Sequence, residues 1–289
     1  GRFARPRGEP APKVAHSHPP LAAKYGGEPE PMTDTELEAL GERFVAAART
    51  AQEAGFAFVD VKCCHGYLLH ETLGAHTRDG VYGGSFENRS RFLLRVIDEV
   101  KSACPGLGVL ARVSILDTHP FSAGEDELGE PAGWEEHVPY RWGFGVDPSD
   151  PRETSLDEPL QLLGLLSGRD VKLINLSIGS PYYNPHLQRP AAYPPSDGYQ
   201  PPFDPLESVF AHIQAARACK EAYPDLAFVG TGYSYLQEWL PHVAQHELRT
   251  GGVDLIGLGR MLLSYPELPI DILRGSPIDR RRICRTFSD

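Results

Sequence analysis

The sequence lacks several features that would point to large partners. Its 28 Lys and Arg are outnumbered by 39 Asp and Glu, for a formal net charge of -11, whereas proteins that bind phosphate backbones or anionic membranes carry clustered basic residues. No run approaches the roughly 20 apolar residues that span a bilayer, and residues 1–6 lack the apolar core of a signal peptide. These absences argue against nucleic-acid and membrane partners and predict a cytoplasmic protein that acts on a small molecule.

Cysteine is also scarce. The chain has five cysteines, an odd number, and Cys63 and Cys64 are adjacent, so the spacing does not describe a disulfide framework. No second Cys or His pair accompanies Cys63, Cys64 and His65 at the spacing of a zinc site. The sequence therefore predicts reduced thiols and no metal centre.

The hydrophobic fraction of 41% is enough for a sizeable core. Residues 1–32 are rich in Pro, Gly and His and predict an irregular loop region, followed by one domain over residues 33–289. In that domain amphipathic helical patterns alternate with short apolar runs, and capping boxes are expected at Thr33 with Glu36 and at Ser155 with Glu158. Strands are expected at residues 56–62, 107–114, 171–177, 227–229 and 253–258. The alternation predicts an α/β fold with a parallel sheet, either a doubly wound sheet or an eight-fold barrel.

Polar residues follow the ends of these strands, where both folds place their sites. The clusters are residues 62–67, 112–114, 175–177, 230–233 and 259–260. The barrel is favoured because its phosphate site commonly follows the last two strands, where two glycine-containing turns occur. Long aromatic-rich stretches at 117–154 and 179–205 predict ordered loops that line a substrate entrance.

Several motifs together resemble one family. They are His65-Gly66-Tyr67-Leu68, the run Tyr82-Gly83-Gly84-Ser85-Phe86-Glu87-Asn88-Arg89, Arg112-Val113-Ser114, Gly230-Thr231-Gly232 and Leu258-Gly259-Arg260. In this order they resemble the old yellow enzyme relatives, the FMN-dependent NADH:flavin oxidoreductases that include dienoyl-CoA reductases. The resemblance implies a (β/α)8 TIM barrel of which this chain supplies about the last five βα units. It also implies that the first three strands lie upstream of Gly1, because Gly1-Arg2 resembles the pair that closes the third strand.

The resemblance also implies a reaction. NADH or NADPH reduces FMN, and the flavin N5 then transfers a hydride to an activated alkene while a tyrosine protonates the neighbouring carbon. Tyr67 matches that proton donor, and His65 matches one of the pair that binds the substrate carbonyl oxygen. Lys62 stands where the family commonly has His. It could donate to the same oxygen or attract an anionic group of the substrate.

The cofactor site follows from the same resemblance. Arg112 matches the arginine near the flavin N1 and O2, where negative charge collects on reduction. Gly232 with Tyr233 and Gly259 with Arg260 match the two phosphate-binding turns. Larger relatives carry an iron–sulfur cluster on closely spaced cysteines beyond the barrel, but Cys284 stands alone in this sequence, so no cluster can be claimed.

Two other functions stay open at this point. Lys62 could be the Schiff-base amine of a lyase or an aldolase, or the chain could be an inactive fragment of an oxidoreductase. Each site residue also has an ordinary structural interpretation; Lys62, for example, could pair with Asp60 or Glu71. The expected partners are a small-molecule substrate and, as an open alternative, further copies of the chain in a homo-oligomer.

Overall fold

The computed structural model describes residues 13–191 and 198–284, in which helices and strands alternate. The helices are α1 (Pro19–Tyr25), α2 (Asp34–Glu53), α3 (Leu68–Leu73), α4 (Phe86–Ala103), α5 (Asp157–Ser167), α6 (Pro185–Gln188), α7 (Pro205–Ala222), α8 (Leu240–Thr250), α9 (Met261–Ser264) and α10 (Leu268–Arg274). The strands are β1 (Phe58–Cys63), β2 (Gly108–Ser114), β3 (Ser122–Ala123), β4 (Gly129–Glu130), β5 (Leu173–Ser177), β6 (Ala227–Gly230) and β7 (Leu255–Ile256). Two 3₁₀ helices cover Trp134–His137 and Tyr233–Trp239.

In the described part of the chain, five strands form one parallel sheet in the order β1-β2-β5-β6-β7. The spatial order equals the chain order, without the reversal at which a doubly wound sheet binds its ligand. Such an order is that of a barrel wall, so the predicted partial (β/α)8 barrel is confirmed. The remaining pair, β3 and β4, forms a small antiparallel ribbon within the loop after β2.

Alternation along the strands separates two faces of the sheet. Val61, Val113 and Ile174 point toward the helices and belong to a continuous buried core. Residues between them point to the opposite face, where the register sets Lys62 beside Arg112 and Arg112 beside Asn175. The polar residues of the middle strands therefore lie in one row on the face opposite the helices.

Two expectations from the sequence were wrong: that Phe56 and Phe58 lie in a covered strand, and that residues 1–32 form an irregular loop. Phe56 and Phe58 were expected in a covered strand, but their side chains are 65% and 55% exposed, because Phe58 alternates onto the face that the described helices leave uncovered. The described part of the predicted N-terminal loop contains α1, capped by the His18 side chain and ended by Gly26 at φ +71°. Pro19 suits its first turn, where no N–H is needed. The domain boundary at residue 33 stays a prediction.

The capping predictions had different outcomes. Thr33 and Glu36 form the expected reciprocal box at the start of α2. The box at Ser155 and Glu158 is wrong, since α5 begins at Asp157 and the Glu158 carboxylate is bound to buried Arg89, with 2.5 Å between Arg89 Nη2 and Glu158 Oε1. The pair with Arg89 joins two opposite charges through two nitrogens, whereas a capping box would give the Glu158 carboxylate a single backbone N–H, so the pair decides the direction of this side chain.

Candidate active site

A cavity of about 190 Å³ opens at the carboxyl ends of the central strands. Strands β2 and β5 contribute Arg112, Asn175 and Ser177, and the turns after β6 and β7 close the opposite side. The full lining consists of Arg112, Asn175, Ser177, Gln188, Arg189, Pro190, His212, Thr231, Gly232, Ser234, Tyr235, Gly257, Leu258, Gly259, Arg260 and Cys284. The cavity thus combines several arginines with two glycine turns, which suits an anionic ligand.

Two lining side chains are poised for a ligand. Within residues 13–191 and 198–284, Arg112 Nε and Asn175 Oδ1 are buried and have no hydrogen-bond partner. Buried polar atoms are rarely left unpaired in folded proteins, so a donor and an acceptor facing one cavity indicate that a ligand satisfies them. Arg112 was predicted from the sequence as a cofactor-binding residue, whereas Asn175 was predicted only as a member of the polar cluster 175–177 at the end of a strand, without a role of its own.

The first glycine turn is shaped by a histidine. Gly232 has φ +91°, and a Cβ added there would lie 2.6 Å from His212 Cγ. His212 is buried on α7, its Nε2 is 3.1 Å from the Leu187 carbonyl oxygen, and burial lowers its pKa to about 4. The neutral imidazole donates from Nε2 and therefore keeps Nδ1 as an acceptor, 3.5 Å from the Thr231 hydroxyl. No sequence signal marked His212, because it lies on a helix far along the chain from the turn.

The second turn is open. A Cβ added to Gly259 would meet no atom within 4 Å, so the backbone is accessible to a ligand, and Arg260 follows at the start of α9. The structure does not bring the Tyr233 side chain to the cavity. Its ring is 1% exposed, packs in a second core cluster and lies under Gly230, while Ser234 and Tyr235 line the cavity instead.

His65 joins this cavity to the loop after β1. It adopts φ +61°, its backbone N–H donates to Ser114 Oγ at 3.1 Å, and its Nε2 lies 2.7 Å from the hydroxyl of Ser177. Burial, with smaller contributions from the charges of Arg112 and Lys62, lowers the pKa of His65 to about 3. The imidazole is therefore neutral at physiological pH and can bind a substrate oxygen only by a neutral hydrogen bond.

Tyr67 lies at the same edge of the sheet, outside the cavity lining. Its side chain is 42% exposed, and its hydroxyl is 3.3 Å from that of Tyr182 in the loop after β5. The Lys62 ammonium lies 3.5 Å from the centroid of the Tyr67 ring. Lys62 therefore contacts Tyr67, whereas Glu71, a suggested ion-pair partner, accepts the backbone N–H of Ala15 at 2.9 Å.

A partly buried lysine holds the Tyr182 loop in place. Lys24 on α1 donates to the carbonyl oxygens of Phe121 at 2.6 Å and Tyr182 at 3.1 Å, and burial lowers its pKa to about 8. It thereby joins the long loop after β2 to the loop after β5.

The adjacent thiols Cys63 and Cys64 are unreactive in character, because burial raises the pKa of both, that of Cys64 to about 11. None of the five cysteines, which lie within the described ranges, forms a disulfide. Among the described residues, no group of three or more His, Cys, Asp or Glu could hold a metal ion. No described helix is long and apolar enough to cross a membrane.

These features define a class: a parallel, barrel-type α/β fold with an arginine- and glycine-lined ligand cavity and a histidine, a lysine and a tyrosine beside it. The profile of the NADH:flavin oxidoreductase / NADH oxidase family matches residues 12–131. An NADH:flavin oxidoreductase of Gibberella zeae is 26% identical over 90% of this chain and 56% of its own length. An NADPH dehydrogenase of a Geobacillus species is 30% identical over 83% of this chain and 55% of its own length.

Solved structures agree on the fold. A 2-naphthoyl-CoA reductase in complex with 2-naphthoyl-CoA superposes with a TM-score of 0.64 at 18% identity, over 96% of this chain and 35% of that one. Histamine dehydrogenase from Rhizobium sp. 4-9 gives 0.59 at 21% identity, over 92% and 32%. The chain is similar to members of the NADH:flavin oxidoreductase family, the family of old yellow enzyme, whose cofactors are FMN and NADH or NADPH. It spans about half the length of the curated relatives it matches.

The residues present fit FMN. The glycine turns and Arg260 offer backbone N–H groups and a guanidinium to a phosphate, and the unpaired Arg112 Nε offers a donor to an electron-rich ring. Asn175 Oδ1 can accept from a hydroxyl, and the His212 Nδ1 lone pair lies at the same cavity. When bound, the flavin would supply hydride transfer.

Proposed function

We propose that this chain forms the substrate side and the phosphate side of an FMN-dependent NAD(P)H oxidoreductase that reduces an activated alkene or a similar electron-poor substrate. The observation that carries the proposal is the row Lys62, Arg112 and Asn175 across three neighbouring strands, with the two unpaired polar atoms facing one cavity. Similarity to this family supports the same cofactors and reaction class.

In this proposal each residue has a distinct task. Tyr67 donates its hydroxyl proton to the substrate carbon; an exposed phenol can recover that proton from solvent. His65, neutral and held by Ser177, donates to the substrate oxygen. Arg112 provides positive charge at the ring of the cofactor, and Arg260 binds its phosphate.

The Schiff-base alternative is less well supported. A lysine that forms a Schiff base is commonly desolvated in an apolar pocket, whereas the side chain of Lys62 is exposed and its ammonium rests on an aromatic ring. Borohydride treatment with a carbonyl compound tests it directly. Covalent mass added to Lys62 would favour the lyase.

The decisive experiment is a titration of the purified full chain with FMN. We expect one FMN per chain, seen by quenching of flavin fluorescence, bleaching by NADPH or NADH without air, and reoxidation by 2-cyclohexen-1-one. In the same assay Tyr67→Phe should slow reoxidation by about 100-fold or more and leave bleaching unchanged, because general acids contribute about that much. A chain that neither binds FMN nor is reduced would contradict the proposal.

A further inference from the structure

The contact between Lys62 and Tyr67 has the geometry of a stack. The ammonium lies 3.5 Å from the ring centroid, well within the roughly 6 Å over which a cation is attracted to an aromatic face. The same ring also meets Tyr182 in a T-shaped arrangement, with centroids 6.0 Å apart and an interplanar angle of 70°. The phenol is therefore held by a cation on its face and by contact with a second tyrosine.

The acidic side chains near Lys62 do not neutralise it. Asp60, which shares its face of β1, interacts with the charge of Arg112, and Glu71 accepts from the backbone of Ala15. Within the described residues, Lys62 forms no ion pair, and its ammonium rests on the ring of Tyr67.

We infer that Lys62 is a positioning residue that acts through Tyr67, holding the phenol in place and stabilising the tyrosinate formed when that phenol gives up its proton. The inference rests on the proposed function and changes the role of Lys62 from a substrate ligand to a partner of the proton donor. A cation on the ring face attracts a neutral phenol weakly and a tyrosinate strongly, because the negative charge spreads over the ring. Lys62 therefore stabilises the transition state, in which negative charge develops on Tyr67, more than the ground state, in which Tyr67 is neutral.

The step balances as a proton transfer. The hydride equivalent comes from NADPH or NADH through the cofactor and is added to one alkene carbon, while the π bond of the alkene breaks and its electron pair moves to the other alkene carbon and the neighbouring carbonyl group. The O–H bond of Tyr67 breaks, its electron pair stays on the phenolate oxygen, and a C–H bond forms at the other alkene carbon. Solvent then returns a proton to Tyr67, whose side chain is 42% exposed.

A neutral substrate distinguishes stabilisation of the Tyr67 tyrosinate by Lys62 from attraction of an anionic substrate group by Lys62. With 2-cyclohexen-1-one, which carries no charge, Lys62→Met should slow the reoxidation of the reduced holoenzyme about 10-fold, equivalent to about 1.4 kcal/mol, with KM unchanged. Lys62→Arg should restore most of the rate, because a guanidinium also stacks on an aromatic ring. An unchanged rate in Lys62→Met would overturn the inference.

A double-mutant cycle tests whether the effect passes through Tyr67. In the Tyr67→Phe background, Lys62→Met should cause no further loss, since no tyrosinate forms. Losses that multiply would show that Lys62 acts independently and would also overturn the inference. Lys172→Met provides the matched control, because Lys172 is a lysine just before β5 at the opposite end of the sheet, paired with Asp170 at 3.1 Å.

The stack itself has a readout that needs no cofactor. In the full chain labelled with ¹³C in its tyrosine rings, the resonance of Tyr67 is identified as the one that Tyr67→Phe removes. This resonance should shift in Lys62→Met and should not shift in Lys172→Met. An unshifted resonance in Lys62→Met would refute the contact. Failure of the chain to bind FMN would refute the proposed function, whereas an unaffected rate in a holoenzyme that NADPH reduces normally would refute only this inference.

Discussion

The Nε2 atom of His65 lies 2.7 Å from the hydroxyl of Ser177, which joins the loop after β1 to the end of β5. These residues are 112 positions apart in the chain. The contact fixes a residue in a left-handed conformation, and such conformations persist only where the surroundings hold them. It links the loop after β1 to the cavity at the carboxyl ends of the strands, because Ser177 also lines that cavity.

The low pKa of His65 predicts a pH dependence of stability. The folded pKa of about 3 lies below the ordinary value of 6.5, so the stability is present above pH 6.5 and is lost as the pH falls toward 3. Between about pH 6 and pH 4 the unfolded chain binds one more proton at this position, a slope of about 1.4 kcal/mol per pH unit. His65→Gln should reduce the measured slope by about one proton.

Urea unfolding of both proteins at pH 6, 5 and 4 measures this slope. Asp117, whose pKa burial raises, contributes with the opposite sign, but it is present in both proteins and cancels in the difference. His246→Gln, which replaces an exposed histidine on α8, is the control for the substitution. Equal slopes in wild type and His65→Gln would contradict the prediction.

Arg89 should be a stability residue. Its side chain is 2% exposed, contacts Glu158 through two nitrogens and donates to the Gly84 carbonyl oxygen at 2.9 Å. Arg89→Met leaves these acceptors unpaired and should lower the free energy of unfolding by about 3 kcal/mol. Arg91→Met, which breaks an exposed pair with Glu87, should cost less than about 1 kcal/mol. Comparable losses in the two variants would count against the buried network.

Gly232 should tolerate no side chain. Gly232→Ala puts a side chain on a residue in the left-handed conformation, at φ +91°. It also places the added Cβ 2.6 Å from His212 Cγ. Gly251, at the end of α8, also has a positive φ but has no atom within 4 Å of an added Cβ, so Gly251→Ala measures the conformational cost alone. We expect about 1 kcal/mol for Gly251→Ala and at least about 1 kcal/mol more for Gly232→Ala, by thermal unfolding. The opposite order would show that His212 moves aside freely.

Arg260 should distinguish FMN from riboflavin. If its guanidinium binds the phosphate, Arg260→Met should weaken FMN binding by about 10-fold or more, since a charge-assisted bond contributes about 1.5–3 kcal/mol. Binding of riboflavin, which has no phosphate, should change little. Arg274→Met, at an exposed arginine on α10, is the matched control in the same fluorescence titration. Equal weakening of both flavins would place Arg260 elsewhere in the site.

Local chemistry accounts for the features that the sequence predicted well. The capping box of Thr33 and Glu36, for example, depends on residues only three positions apart. The failed box at Ser155 shows the limit of such reasoning. The Glu158 carboxylate could cap α5 together with Ser155 or pair with a residue far along the chain. The distant partner, buried Arg89, decides its conformation.

Sequence alone determined the order of helices and strands, the strand ends at which polar residues collect, and the family, because these depend on periodicity and on short motifs. Tertiary structure decided which of those residues meet. The Lys62 stack on Tyr67, the contact of Tyr67 with a tyrosine 115 positions away, and the His212 packing under Gly232 depend on strand register and on loop placement. Side-chain partners across a sheet are set by how strands pair in space, and no local pattern encodes that pairing.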